Sequence, residues 1–183
     1  MKMRNKFHFF TPLMHKNEYE FIEKFLNEDD IILEYGSGAG SIYFSGLVKK
    51  YIAIEHDIEW YNTVKTTIDN FKIDNLFLYY VPGKKVADQK LYRHIAFENY
   101  IKFPQTEKLR FTKVLIDGRA RKYCAEFISN IISDDVIVFI HDFNRNNVEG
   151  YVDENYFDDI LKYYDIIEFE KSGEGIIALK KKK

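Results

Sequence analysis

Three ionisable side chains follow two short apolar segments in the second half of the chain. Asp117 ends Lys113–Asp117 (KVLID), and His141 ends Val136–His141 (VIVFIH) with Asp142 directly behind it. Both segments have the length and the β-branched content of buried strands. Because ligands bind at the carboxyl ends of parallel strands, we expect the three side chains to meet at one sheet edge. An imidazole titrates near neutral pH, so His141 is the predicted general base for removing a proton from a bound hydroxyl.

Two arginines follow closely behind Asp117. A guanidinium binds anions through forked hydrogen bonds, so Arg119 could hold an anionic acceptor beside the predicted catalytic residues Asp117, His141 and Asp142. For Arg121 we favour an ion pair with a carboxylate on its own helix. The same pairing stays open for Arg119.

Three glycines follow the first strand-like segment, Asp30–Tyr35 (DIILEY). The stretch from Glu34 to Ser41 reads EYGSGAGS, with its glycines at 36, 38 and 40. Glycines let the chain turn tightly and let a ligand approach the backbone. The first N–H groups of the helix that follows would then face that ligand. The dinucleotide fingerprint G-x-G-x-x-G places its third glycine one residue later, where this chain has serine, so the match is imperfect.

Two carboxylates flank the glycine stretch. Glu34 lies two residues before Gly36, where it could bind a positively charged amino group. Glu55 ends the segment Tyr51–Glu55 (YIAIE), 19 residues after Gly36, where a carboxylate can accept both hydroxyls of a ribose. By position, His56 would lie beside an adenine. The loop has no pair of basic residues for a pyrophosphate, so the pattern suits a ligand with an amino acid at one end and a ribose at the other.

The elements that must position these residues alternate between strands and helices. The predicted strands are Asp30–Tyr35, Tyr51–Glu55, Leu76–Val81, Lys113–Asp117, Val136–His141, Ile166–Glu170 and Gly175–Leu179. The predicted helices are Asn17–Leu26, Ser41–Lys50, Asp57–Phe71 with Asp57 as N-cap, one around Lys90–Tyr100 before a loop around Pro104, Ala120–Ile132 and Glu154–Tyr164, with a polar loop at Asn144–Asn147. Alternation implies crossover connections, and the turn residues 171–174 indicate a closing hairpin. We therefore predict an α/β fold: a Rossmann-like seven-stranded sheet, mostly parallel with an antiparallel C-terminal strand, and helices on both faces.

The glycine stretch and its acids resemble motifs I and II of class I S-adenosylmethionine-dependent methyltransferases. The matching positions are Glu34, Gly36, Gly38, Gly40 and Glu55. The resemblance implies that S-adenosylmethionine is the cofactor. It also implies that these residues bind it, and Ser37 and His56 are further expected contacts because they adjoin the matching positions. The seven-stranded sheet is the architecture of the same class.

Two loop motifs resemble those of a narrower group of small methyltransferases, often associated with polysaccharide or sugar modification. They are I-D-G-R-A-R-x-x-C-A from Ile116 and H-D-F-x-R from His141, and the resemblance runs over roughly residues 12–179. It implies O-methylation of a sugar, a glycan or another small hydroxylated acceptor. With little chain beyond the core fold, the acceptor site must be shallow or completed by a second copy, so a homodimer is a further expectation.

The acids at the sheet edge also resemble those of metal-dependent O-methyltransferases, which hold Mg²⁺ with an Asp after the fourth strand and an Asp-Asn pair after the fifth. Here Phe143 separates Asp142 from Asn144, which departs from that pattern. We therefore favour a site without metal. If a metal is present, Asp117 and Asp142 are its expected ligands.

Three other functions share parts of this pattern. A nicotinamide-dependent oxidoreductase would want glycine at position 41 and usually has a separate substrate domain. An aminopropyltransferase-like enzyme shares the fold and uses acids after the fourth strand, but usually carries an N-terminal β-domain. A non-catalytic methyltransferase-like binding module or partner subunit could lose Asp117, His141 and Asp142 without cost, yet this chain has all three.

Composition limits the function classes further. The chain has 27 Lys and Arg against 29 Asp and Glu, a net charge of -2, which disfavours nucleic acid as a partner. Its apolar runs are too short to span a membrane, and one cysteine with no signal-like segment indicates a cytoplasmic protein. Cys124 is expected to be a core residue. We predict a single methyltransferase domain over 1–183, with an N-terminal segment and helix over 1–29 and a solvated basic tail over 180–183.

Overall fold

The computed structural model describes residues 5–88, 92–143 and 156–183, except for the side chain of Phe157. Its strands form one sheet in the order β3-β2-β1-β4-β5-β7-β6. They are β1 (Ile31–Tyr35), β2 (Lys50–Glu55), β3 (Leu76–Tyr80), β4 (Lys113–Ile116), β5 (Ile137–His141), β6 (Tyr164–Glu170) and β7 (Ile176–Lys181). Strand β7 is antiparallel to both of its neighbours, and the pairs among β1 to β5 are parallel. The predicted fold class is confirmed.

Seven helices are assigned among the described residues. They are α1 (Lys16–Glu23), α2 (Ala39–Ser45), α3 (Ile58–Phe71), α4 (Arg93–Ala96), α5 (Glu98–Thr106), α6 (Arg121–Ser129) and α7 (Tyr156–Leu161). Asp57 is the N-cap of α3, as predicted, and accepts hydrogen bonds from the N–H groups of Glu59 and Trp60. Within the part of the chain described, no helix has the length and apolar content needed to cross a bilayer.

The predicted loop around Pro104 is wrong, because Pro104 lies inside α5. A proline inside a helix lacks its N–H and crowds the carbonyl four residues earlier, and here burial of Tyr100, Ile101 and Pro104 offsets that cost. The helix predicted around Lys90–Tyr100 is instead two short helices, and residues 89–91 lie outside the described residues. So do the predicted Asn144–Asn147 loop and the first two residues of the predicted Glu154–Tyr164 helix.

Apolar side chains cover both faces of the sheet, which explains why its strands read as nearly continuous apolar runs. On β1, Leu33 and Tyr35 join the core on one face, while Ile32 joins the core on the other. Glu34 shares the face of Ile32 because side chains alternate along a strand. Glu34 is therefore a carboxylate at a position that faces the core, where its neighbours on the same face are apolar.

The predicted basic tail is wrong for Lys180 and Lys181, which belong to β7 and pair with Asp165 and Tyr164 of β6. The Lys181 ammonium also donates a hydrogen bond to the carbonyl of Ile132, at 3.2 Å. Backbone pairing on both sides of β7 therefore outweighs the repulsion within a short lysine run.

The ends of β1 and β4 touch through two glycines. Gly36 has a φ of 108°, and a Cβ added to it would lie 3.1 Å from the backbone nitrogen of Gly118. A Cβ added to Gly118 would lie 2.2 Å from the hydroxyl of Tyr100. These two positions therefore admit no side chain without movement. The glycine loop and the Asp117-Gly118 turn consequently lie against each other.

Candidate active site

A cleft of about 600 Å³ lies at the carboxyl ends of β1, β2 and β4. Its walls are the glycine loop, the end of β2, the first turns of α3 and the loop after β4. Six of the predicted site residues line it: Gly36, Ser37, Glu55, His56, Asp117 and Arg119. The other predicted residues, Glu34, Gly38, Gly40, His141 and Asp142, lie around it without lining it.

Glu34 lies beneath the glycine loop, with 4% of its surface exposed. The hydroxyl of Ser41 donates a hydrogen bond to Glu34 Oε2 and accepts one from the Gly38 N–H at 2.9 Å. Burial raises the pKa of Glu34 to about 8. Ser41 stands where the dinucleotide fingerprint would have its third glycine, so the departure from that fingerprint ties the loop to the carboxyl group below it.

Glu55 ends β2 with both carboxylate oxygens held from the protein side. Its Oε1 accepts hydrogen bonds from the N–H groups of His56 and Asp57 at 2.7 and 2.9 Å, and its Oε2 accepts one from the Ser37 hydroxyl at 2.9 Å. Burial alone would raise the pKa of Glu55, but the hydrogen bonds from His56, Asp57 and Ser37 lower it overall. Glu55 is therefore an oriented carboxylate, and Oε2 keeps acceptor capacity on the side of the cleft.

Two aromatic side chains border the same cleft. His56 lies edge-on to Phe97, with ring centroids 5.5 Å apart, and its Nδ1 is 2.8 Å from Glu55 Oε1. Trp60 is 40% exposed and its indole N–H donates to the carbonyl of Ser37 at 2.5 Å. Trp60 is not among the predicted site residues. The N-cap at Asp57, which fixes the first turn of α3 beside the loop, is the signal that could have placed it here.

Asp117 and His141 lie in direct contact. The Nδ1 of His141 is 2.8 Å from Asp117 Oδ1, and its Nε2 is 3.3 Å from Glu18 Oε2. The side chain of Asp117 is 25% exposed and lines the cleft, whereas His141 is buried behind it. Burial alone would lower the pKa of His141, but the hydrogen bond and charge of Asp117, with the charge of Asp142, raise it to about 9. His141 therefore carries a proton at neutral pH and donates to carboxylates on both sides.

Glu18 reaches this cluster from α1. It is 1% exposed and accepts hydrogen bonds from the N–H groups of His15 at 2.6 Å and Gly175 at 2.7 Å. Glu18 is not among the predicted site residues. In the structure Glu18 contacts His141, and the helix-start pattern His15-x-x-Glu18, a capping box, was its only local signal.

Arg121 lies between two carboxylates. Its NH1 is 2.6 Å from Asp142 Oδ2 and its NH2 is 3.3 Å from Asp117 Oδ1. The predicted ion pair of Arg121 within its own helix is wrong, because Asp117 precedes α6 and Asp142 follows β5. Adjacent strands β4 and β5 bring the two acids together. With His141, these acids are also the described residues whose donor atoms could hold a metal ion.

Sequence comparisons identify no relative, since no family model and no curated protein matches this chain. Solved structures share the fold. A methyltransferase-like protein from Silicibacter pomeroyi DSS-3 is 18% identical with a TM-score of 0.70, over 93% of this chain and 88% of that one. Precorrin-6y C5,15-methyltransferase from Geobacter metallireducens GS-15 is 14% identical with a TM-score of 0.55, over 86% and 82%. The protein MtNAS, solved in complex with MTA and tNA, is 12% identical with a TM-score of 0.62, over 91% of this chain and 61% of that one. The chain therefore has the fold of methyltransferases.

Proposed function

We propose that this chain is an S-adenosylmethionine-dependent methyltransferase that methylates a hydroxyl group of a sugar, a glycan or another small acceptor. The observation that carries the proposal is the position of Glu55. Its oriented carboxylate lines a cleft at the carboxyl ends of parallel strands, directly beside the glycine loop. A ribose hydroxyl pair is the natural partner of a carboxylate in that position.

The charges around the cleft favour a cationic ligand. The acids that line it are Glu55, Asp57, Glu59 and Asp117, against the arginines Arg119 and Arg121. S-adenosylmethionine carries a sulfonium and an ammonium, which carboxylates attract, whereas a dinucleotide carries an anionic pyrophosphate. The charge balance therefore supports S-adenosylmethionine over a nicotinamide dinucleotide. The fold neighbour MtNAS, solved with MTA, is a further support for a ligand of this kind.

In this proposal the residues of the glycine loop and Glu55 contact the cofactor, and the buried residues beneath the loop fix its conformation. Ser37 and the N–H groups at the start of α2 face the ligand, and Glu55 accepts the ribose hydroxyls. Glu34 acts indirectly through Ser41, which replaces the contact with an amino group expected from the sequence. When bound, S-adenosylmethionine supplies an electrophilic methyl group. The protein must then bring one acceptor oxygen into line with it and accept the proton of that oxygen.

The contacts favour Asp117 over His141 as the group that meets the acceptor. A general base must present a lone pair to the proton that it removes. Both ring nitrogens of His141 face carboxylates, while Asp117 lines the cleft. We therefore assign proton acceptance to Asp117 and a positioning role to His141. Arg119, also on the cleft, is the proposed contact for an anionic acceptor such as a phosphorylated or acidic sugar.

The acceptor is proposed from the two loop motifs and from the polar lining of the cleft. A second copy of the chain could cover the open side of the cleft, and a cytoplasmic location would supply the cofactor. The acceptor class is tested by incubating the protein with methyl-labelled cofactor and a panel of monosaccharides, sugar phosphates and nucleotide sugars. Label in a sugar product supports the acceptor class, and label only in protein or nucleic acid contradicts it.

The cofactor is tested by calorimetric titration of S-adenosylhomocysteine and, separately, NAD⁺. We expect micromolar binding of the first alone. Glu55→Ala removes the carboxylate that accepts from the ribose, so it should weaken binding by at least about tenfold, or ~1.4 kcal/mol. The matched control is Glu28→Ala, an exposed glutamate that precedes β1 and so lies at the opposite end of the strand from the cleft. A folded wild type that binds no S-adenosylhomocysteine would contradict the proposal and favour a non-catalytic module.

A further inference from the structure

The guanidinium of Arg121 is fully hydrogen-bonded by the two loops that it joins. Its Nε donates to the Gly118 carbonyl at 3.0 Å, and its NH1 donates to the His141 carbonyl at 2.9 Å and to Asp142 Oδ2 at 2.6 Å. Its NH2 lies 3.3 Å from both the carbonyl and the Oδ1 of Asp117. A guanidinium has five N–H donors, so each has a partner here.

The residues around this guanidinium have the composition of a divalent-cation site. Asp117, His141 and Asp142 each offer one ligand atom, and the three atoms lie within 4.8 Å of one another. Carboxylates suit Mg²⁺ and Mn²⁺ and an imidazole suits transition metals, so Mn²⁺ is a reasonable probe for this mixed set of donors. The metal-dependent methyltransferases that the sequence resembles place acids at the same two strand ends. On donor chemistry alone, this cluster would therefore be assigned a metal.

The position of Arg121 disagrees with that assignment. A cation shared by Asp117 and Asp142 would have to lie beside a guanidinium that already contacts both carboxylates. Arginine keeps its positive charge at every physiological pH, so it would repel a second cation there. Around the cluster, Arg121 contacts Asp117 and Asp142, and His141 contacts Asp117 and Glu18. Asp117 and Asp142 therefore already share one permanent positive charge from the protein, the guanidinium of Arg121.

We propose that Arg121 is the resident cation of this cluster and takes the place that a divalent metal occupies in metal-dependent enzymes of this fold. The wild-type protein therefore binds no divalent cation at Asp117, His141 and Asp142. Removal of the guanidinium opens a site for one. This inference concerns cation binding alone, so it stands or falls independently of the methyl-transfer reaction.

Titration of Mn²⁺ into purified protein, followed by the loss of the free-ion electron paramagnetic resonance signal, tests the proposal. We expect no specific Mn²⁺ binding to wild type. For Arg121→Gln we expect a Mn²⁺ dissociation constant at least about tenfold below the weakest binding that the titration can detect for wild type. Arg121→Lys keeps a positive charge, so it should resemble wild type. Adding Asp142→Asn to Arg121→Gln should abolish the new site. Mn²⁺ binding to wild type that Asp142→Asn removes would overturn the proposal, as would a folded Arg121→Gln that binds no Mn²⁺.

Folding is monitored in the same samples by circular dichroism. Unpaired carboxylates destabilise Arg121→Gln, so it could unfold without metal. In that event Mn²⁺ should restore the folded spectrum of Arg121→Gln and leave the spectrum of Arg121→Gln/Asp142→Asn unchanged. Failure of Mn²⁺ to restore Arg121→Gln would equally overturn the proposal.

Discussion

The carboxyl group of Glu34 makes the stability of this protein depend on pH in a predictable direction. Burial beneath the glycine loop raises its pKa from an ordinary 4.5 to about 8. Between those values the folded chain holds a proton on Glu34 that the unfolded chain has lost. Because the folded state binds more protons, the free energy of unfolding falls as pH rises through this window. The contribution is fully present below pH 4.5 and lost as pH approaches 8.

The size of the effect follows from the same two pKa values. One extra bound proton is worth about 1.4 kcal/mol per pH unit, and Glu34 is already partly ionised at pH 8, so the loss between pH 5 and pH 8 is about 3–4 kcal/mol. Glu34→Gln has no charge at any pH and keeps an oxygen that can accept from Ser41. We therefore expect Glu34→Gln to lack this loss and to be more stable than wild type at pH 8.

Urea denaturation followed by circular dichroism at pH 5, 6.5 and 8 measures this difference. The relevant quantity is the free energy of unfolding of Glu34→Gln minus that of wild type, in which other titrations common to both proteins cancel. Glu28→Gln, a change at an exposed glutamate, should follow wild type at every pH. A Glu34→Gln difference that is the same at pH 5 and pH 8 would refute the reasoning, because Glu34 would then ionise in the folded chain as it does in the unfolded one.

Three further changes have expected outcomes that thermal or urea unfolding can measure. Gly36→Ala should cost about 2 kcal/mol or more, because its positive φ and close backbone neighbours exclude a Cβ, whereas Gly40→Ala in α2 should be neutral or gain up to ~1 kcal/mol. Equal losses at the two glycines would contradict the packing described. His141 has a folded pKa of about 9 against an ordinary 6.5, so its stabilisation is present below pH 6.5 and lost by pH 9. The advantage of wild type over His141→Asn should therefore shrink by roughly 3 kcal/mol between pH 6 and pH 9, and a constant advantage would count against a protonated His141. Lys72 ends α3 with a φ of 51°, so Lys72→Gly should stabilise by about 0.5–1 kcal/mol, and a loss would show that its side chain matters more than its backbone.

The fold was predictable because its signals are local. Each buried strand is a short apolar run that ends in a polar residue or a glycine, and the N-cap at Asp57 marks the start of α3. The same signals place Glu55 and Asp117 at strand ends, where the cleft lies. Element boundaries were less predictable at Pro104 and at Lys180, because tertiary packing and strand pairing outweigh the local preferences of proline and of clustered charge.

The contacts among the site residues could not be predicted in the same way. Glu18 and His141 are separated by 123 residues, and their contact depends on how α1 packs beside β5. Arg121 could reach a carboxylate within its own helix or across the sheet edge, and only the side-by-side arrangement of β4 and β5 decides between them. Residue types therefore indicated which groups gather at the edge. Their pairing, and hence which of them faces the cleft, required the structure.

The position of β7 has a consequence for the order in which the protein folds. Strands β1 to β5 form a parallel unit in the order β3-β2-β1-β4-β5. Strand β6 does not pair with any of them: its neighbour in the sheet is β7, which comes later in the sequence and lies between β6 and β5. The β6–β7 hairpin is local and can form by itself before it docks as a pair. Gly175, at the base of this hairpin, donates to Glu18 and accepts from the N–H of Phe143. Docking of the hairpin is therefore expected to be a late folding step, and it is the step that brings Glu18 against His141. If the parallel unit folds first, its glycine loop is in place while its acid cluster is still incomplete.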